Sequence, residues 1–158
     1  MGTEGGLPTE YKSGPGYIVS TWRNVLLILW HGEITSAALD VTERAGRSLD
    51  REYPRNQVSV SITTRGVPLP SDEVRKHAAR LLRERADAVK LTITVVEGDG
   101  FWVSTGRMVM TALVALSGSK MKPIIARSVE EAVPLVEPFV TPRAAPADIQ
   151  RALVAFRG

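Results

Sequence analysis

Between Lys90 and Phe139 the chain runs from a β-rich segment through a glycine turn, an apolar helix, a glycine stop and a short β-rich segment to a capped helix. No other stretch constrains the fold as tightly. Val89 to Val96 (VKLTITVV) is dense in β-branched residues, which suit a pleated surface. Phe101 to Leu116 follows with Arg107 as its only charged residue, so a helix here is apolar almost all round and has to be covered. Gly118 is placed to end it in a left-handed conformation. Pro123 to Ala126 (PIIA) reads as a short strand. Ser128-Val129-Glu130-Glu131 is a capping box opening a helix with Ala132, Val133, Leu135 and Val136. A strand, a crossover helix and a second strand in that order imply parallel pairing.

The preceding residues supply the elements this unit docks against. Tyr17 to Trp22 (YIVSTW) and Val25 to Trp30 (VLLILW) flank Arg23-Asn24, the spacing of a two-residue hairpin. The first run alternates, as an edge strand does; the second is solidly apolar, as a strand covered on both faces is. Thr35 to Tyr53 spaces Ala38, Val41, Ala45 and Leu49 as one helix face, with Thr35 as N-cap and Pro54 as stop. Gln57 to Thr64 is a strand in which Val58, Val60 and Ile62 alternate with Ser59, Ser61 and Thr63. That small-residue face either packs under helices or lines a shallow site. A second amphipathic helix starts at Ser71, with Val74, Ala78, Leu81 and Leu82 on one side. Ile149, Leu153 and Phe156 mark a last amphipathic segment that packs back on the domain or engages a partner.

The order is β-β-α-β-α-β-α-β-α plus a terminal helix. It predicts an α/β domain: a mostly parallel sheet with an antiparallel edge strand, covered by helices. Residues 1–16 hold five glycines and two prolines and read as a flexible tail, 17–140 as the domain, and 141–158 as a linker with a short amphipathic helix.

Bulk properties narrow the function classes. A chain of 158 residues suits one domain. The absence of cysteine removes thiol catalysis and Cys-ligated metal, and it fits a cytoplasmic address. Neither a leader-like N-terminus nor an apolar run long enough to span a bilayer is evident, so no membrane insertion is expected. The net charge of +3 is too small to argue for nucleic acid without clustering.

The stretch Leu113-Val114-Ala115-Leu116-Ser117-Gly118-Ser119-Lys120 resembles the leucine-rich, glycine-terminated helix of STAS domains, the module of anti-sigma factor antagonists and of the cytoplasmic ends of sulfate transporters. Ile124 to Ala132 (IIARSVEEA) resembles the short strand and Ser-x-x-Glu-Ala helix start of the same family. The element order agrees over Tyr17 to Phe139, whereas the motifs cover only the last third of it. The resemblance implies a non-enzymatic regulatory module that acts through helix surfaces. It also implies a phosphorylated serine in an Asp-Ser-Ser/Ala-Gly turn. Pro70-Ser71-Asp72-Glu73 holds that place, and only Ser71 matches; Ser71 reads first as an ordinary N-cap.

The remaining candidates come from the residues themselves. His31 and His77 lack the neighbours of a triad or metal set, and no cofactor is expected. Arg75, Lys76, Arg80, Arg83 and Arg85 are diluted by Glu73, Glu84 and Asp87, which reads as a solvated helix face rather than a nucleic-acid patch. In open α/β sheets ligands sit at the carboxyl ends of strands, which makes Thr64, Arg65, Gly98 and Gly100 candidates for a small ligand: an anion, nucleotide or lipid. Phe101, Trp102, Arg107, Met108, Met110 and Leu113 are the candidate interface of a homodimer or protein complex, because the apolar helix has too narrow a polar stripe for a lone domain.

Overall fold

The computed structural model describes residues 6–118 and 124–158. Six strands form one sheet in chain order: β1 (Thr9–Gly14), β2 (Tyr17–Trp22), β3 (Val25–Trp30), β4 (Gln57–Thr63), β5 (Val89–Val96) and β6 (Ile124–Ala126). The first two pairings are antiparallel and the next three parallel, so the expected α/β class with an antiparallel margin is present. Helices α1 (Ser36–Ser48), α2 (Asp72–Glu84) and α3 (Gly100–Ser117) bridge the parallel strands. Successive right-handed crossovers advancing in one direction put all three on the same face. Helices α4 (Val129–Val136) and α5 (Pro146–Arg157) cover the other.

Three expectations need correction. Residues Thr9–Gly14 of the supposed tail form β1, with a bulge between Glu10 and Lys12. Little apolar surface is buried there; main-chain pairing with β2 and the Trp22 Nε1 donation to the Gly6 carbonyl (2.6 Å) hold the segment. β2 is therefore an inner strand and β1 the edge. Helix α1 ends at Ser48, well before Pro54, and the turn after it brings Asp50 to Arg85 and Gln57. Helix α5 packs back on the domain, the first of the two readings its spacing allowed. Ile149, Ala152, Leu153 and Phe156 lie within the main core, and Arg157 donates from Nε and Nη2 to the Glu97 carboxylate at 2.6 and 2.8 Å.

Local chemistry sets the helix ends. Thr35, Ser71, Asp99 and Ser128 each accept from backbone N–H groups in the first turn, and Gly118 closes α3 at φ 69°. The sheet's two faces differ. Towards α4 and α5 stand Val58, Val60, Ile62, Leu91, Ile93 and Val95, all inside a dry core. Towards α1, α2 and α3 stand Ser59, Ser61, Thr63, Thr92 and Thr94.

Candidate functional site

A sheet covered on both faces normally carries apolar residues on both. Here a period of two in β4 and β5 directs hydroxyls at three helices, and the helices stand off from them. Between the two lies a cavity of about 600 Å³, within the range of small-molecule sites. Its floor is Ser59, Ser61 and Thr63 of β4 with Thr92, Thr94 and Val96 of β5, and Leu26, Ile28 and Trp30 of β3 continue it towards α1. The roof is apolar: Leu39 from α1, Val74, Ala78, Leu81 and Leu82 from α2, and Trp102, Val109, Met110 and Leu113 from α3. Val67 to Pro70, the loop from β4 into α2, line the end near the strands' carboxyl termini.

Register makes the floor a grid. Ser59 pairs with Thr92 and Ser61 with Thr94 across β4 and β5. Neighbouring strands lie about 4.8 Å apart and alternate residues about 6.6 Å apart. Ser61 Oγ accepts from Trp30 Nε1 at 3.1 Å. The hydroxyls of Ser59, Thr63, Thr92 and Thr94 have no partner among the described residues, although Thr94 is only 8 % exposed.

Charge is kept out of the interior. Arg85, at the C-cap of α2, grips Asp50 with two hydrogen bonds of 2.8 and 2.7 Å. Gln57 completes the cluster, donating to Asp50 (2.7 Å) and accepting from Arg85 (3.1 Å). The guanidinium hydrogen bond holds the Asp50 carboxyl below its usual pKa, against the opposing effect of burial. Arg85 is therefore a structural ion pair at the strands' amino ends and not part of a solvated face. At the other end, Arg75 donates to the Pro70 carbonyl (3.0 Å) and pairs with Asp72 (3.3 Å). Glu43 pairs with Arg47 (3.5 Å), and Lys90, the remaining lining cation, is exposed.

The sequence candidates distribute unevenly around this site. Thr64, Arg65, Gly98 and Gly100 do not line it. Thr64 Oγ1 donates to the Trp30 carbonyl (3.2 Å), exposed Arg65 reaches Asp99 at 3.9 Å, Gly98 takes φ 132° in the turn before α3, and Gly100 opens that helix. Ser71 is the exposed N-cap of α2, accepting from Val74 N at 3.3 Å. The six interface candidates split. Phe101, Arg107 and Met108 face solvent, whereas Trp102, Met110 and Leu113 turn into the cavity because they lie on the opposite side of α3. His77 Nε2 on α2 lies 3.1 Å from Asp40 Oδ1 on α1, without hydrogen-bond geometry. No cluster of three metal-ligating side chains occurs among the described residues. None of the described helices is long and apolar enough to cross a membrane.

Comparison with protein-family models, curated proteins and solved structures gives no match. None of these comparisons identifies a STAS domain.

Proposed function

We propose that this chain is a small-molecule-binding domain whose ligand lies between the hydroxyl-bearing sheet face and helices α1, α2 and α3. The observation that carries this reading is the cavity itself, about 600 Å³ inside a chain whose other sheet face is fully packed. Apolar side chains lining a cleft of this size are unfavourably exposed to water, and a ligand that covers them is favoured. No nucleophile and base stand together on its wall, so binding rather than turnover is the activity it suits. The test is titration with 1-N-phenylnaphthylamine, a neutral fluorophore that brightens in apolar surroundings. Saturable binding of one molecule per chain, lost when Ser59→Phe fills the floor, is the expected outcome; linear, non-saturating fluorescence would overturn it.

A second reading, a module working through helix surfaces, is favoured by the outer arc of α3. Phe101 (71 % exposed), Met108 (67 %) and Leu116 (54 %) lie along it with Ser104, Thr111, Ala112 and Ala115, and Arg107 alone is charged. Isolated exposed apolar residues are ordinary; a row of them on one helix is the composition of an interface. The partner it suits best is a second copy of this chain.

A further inference from the structure

Resting on the ligand reading above, we infer that the cavity selects a neutral amphiphile, an apolar body bearing hydroxyl or ester carbonyl oxygens along one edge, over a carboxylate of the same chain length. Two independent features carry this. The first is the hydroxyl grid. Thr94 is more than nine-tenths buried, lines the cavity, and has no hydrogen-bond partner among the described residues; Ser59 and Thr92 offer hydroxyls on the same surface. These hydroxyls open on the cavity, and a bare hydrocarbon lying over them would cut them off from water with no partner in return, so the floor favours a ligand carrying oxygens. Each hydroxyl both donates and accepts, which suits an alcohol or ester oxygen.

The second feature is the charge arrangement. A carboxylate drawn into the interior needs an uncompensated cation beside it, and the lining cations are ion-paired or outside. Arg85 is neutralised by both oxygens of Asp50 and by Gln57. Arg75, partly exposed, donates from Nε to the Pro70 carbonyl and pairs through Nη2 with exposed Asp72, and Lys90 stands in solvent. A buried carboxylate without such a partner is strongly disfavoured. The helical roof adds no charge over the grid: Leu81, Leu82, Val109, Met110 and Leu113 face it.

The experiment displaces 1-N-phenylnaphthylamine from the full chain at pH 8 with 1-decanoylglycerol and, separately, with decanoate, both below their aggregation concentrations. The glyceride is expected to displace at a concentration at least about tenfold lower. Because any oily cleft prefers a neutral competitor, the second arm uses Thr92→Val and Thr94→Val. Each near-isosteric change should weaken the glyceride about fivefold, the scale of one lost neutral hydrogen bond, while the apolar fluorophore binds as tightly as before or more tightly. Saturable fluorophore binding also certifies that the variants are folded. If the fluorophore never binds saturably, the binding reading itself fails. If it binds but decanoate competes as well as the glyceride, or the valine variants hold the glyceride as tightly as the parent, the reading stands and the selectivity for a neutral, oxygen-bearing ligand is wrong.

Discussion

Asn24 shows how much one side chain can settle. It is fully buried in the turn between β2 and β3, its amide donates to the carbonyls of Asn56 (2.5 Å) and Phe139 (2.8 Å), and its oxygen accepts from Thr141 N (2.8 Å). The β2–β3 hairpin, the approach to β4 and the segment after α4 are thereby joined at one point. Asn24→Ala would remove the partners of two carbonyls and an N–H in a part-buried turn, and a loss of about 1–3 kcal/mol in urea unfolding is expected. Asn24→Asp should be no milder at neutral pH, since it aims an anion at two carbonyl oxygens. Next to it, Arg23 adopts φ 53° and spans two contacts, the Trp22 ring at 5.1 Å and the Pro142 carbonyl at 2.9 Å. The sequence marked Arg23-Asn24 as a turn from its spacing. The Asn24 network was illegible there, because its partners lie up to 117 residues away.

Among elements, the decisive contacts are those that fix α1, α2 and α3 over the sheet. The Asp50, Arg85 and Gln57 cluster ties the end of α1, the end of α2 and the start of β4. Because the folded-state pKa of Asp50 is lowered, the stability it contributes is present above the ordinary carboxylate pKa and fades as pH falls through the lowered value. The parent and Asp50→Asn should therefore differ clearly in urea midpoint at pH 7 and converge near the acid end. Equal differences at both pH values would remove the ion pair from the account. Helix α3 meets β5 at Gly106, where a Cβ would come within 2.7 Å of Val96 Cγ2. Gly106→Ala gains about 1 kcal/mol in helix propensity and loses about 1–3 kcal/mol to overpacking, so a net loss near 1 kcal/mol is expected. Gly100→Ala, with open space around its Cβ, is the control and should lose nothing. On the outer arc, Met108→Glu should leave the melting temperature within about 2 °C, as surface substitutions do. If α3 pairs with a second copy, the same change turns a dimer in light scattering into a monomer; a parent that is monomeric at high micromolar concentration excludes that pairing. Helix caps at Thr35, Ser71 and Gly118 were readable because their chemistry is local. The two-sidedness of α3 was not, since an apolar helix lining a cavity and exposing its back has the same composition as one buried all round.

At the scale of the molecule, the alternation of Ser59, Ser61 and Thr63 with valine and isoleucine pointed at a small-residue surface. The cavity's size was beyond any local pattern, because it depends on how far α2 and α3 stand from the strands. β1 escaped for a related reason: main-chain pairing needs no apolar signature, and TEYKSG supplies none. If the cavity is the functional heart, Ser59→Phe should keep the far-ultraviolet spectrum of the parent and hold or raise its melting temperature while it abolishes fluorophore binding, since an added ring covers the apolar lining that a ligand would have covered. The strand order carries one more consequence. Spatial order equals chain order from β1 to β6, so on a ribosome each new strand emerges to find its partner already laid down beside it. Only the second layer breaks this sequence, for α5 returns to pack against β3 after every strand has been made. A nascent chain halted before Pro146 would present a finished sheet with Leu27, Val60 and Ile93 lacking their last cover, and that is the species chaperones would be expected to hold.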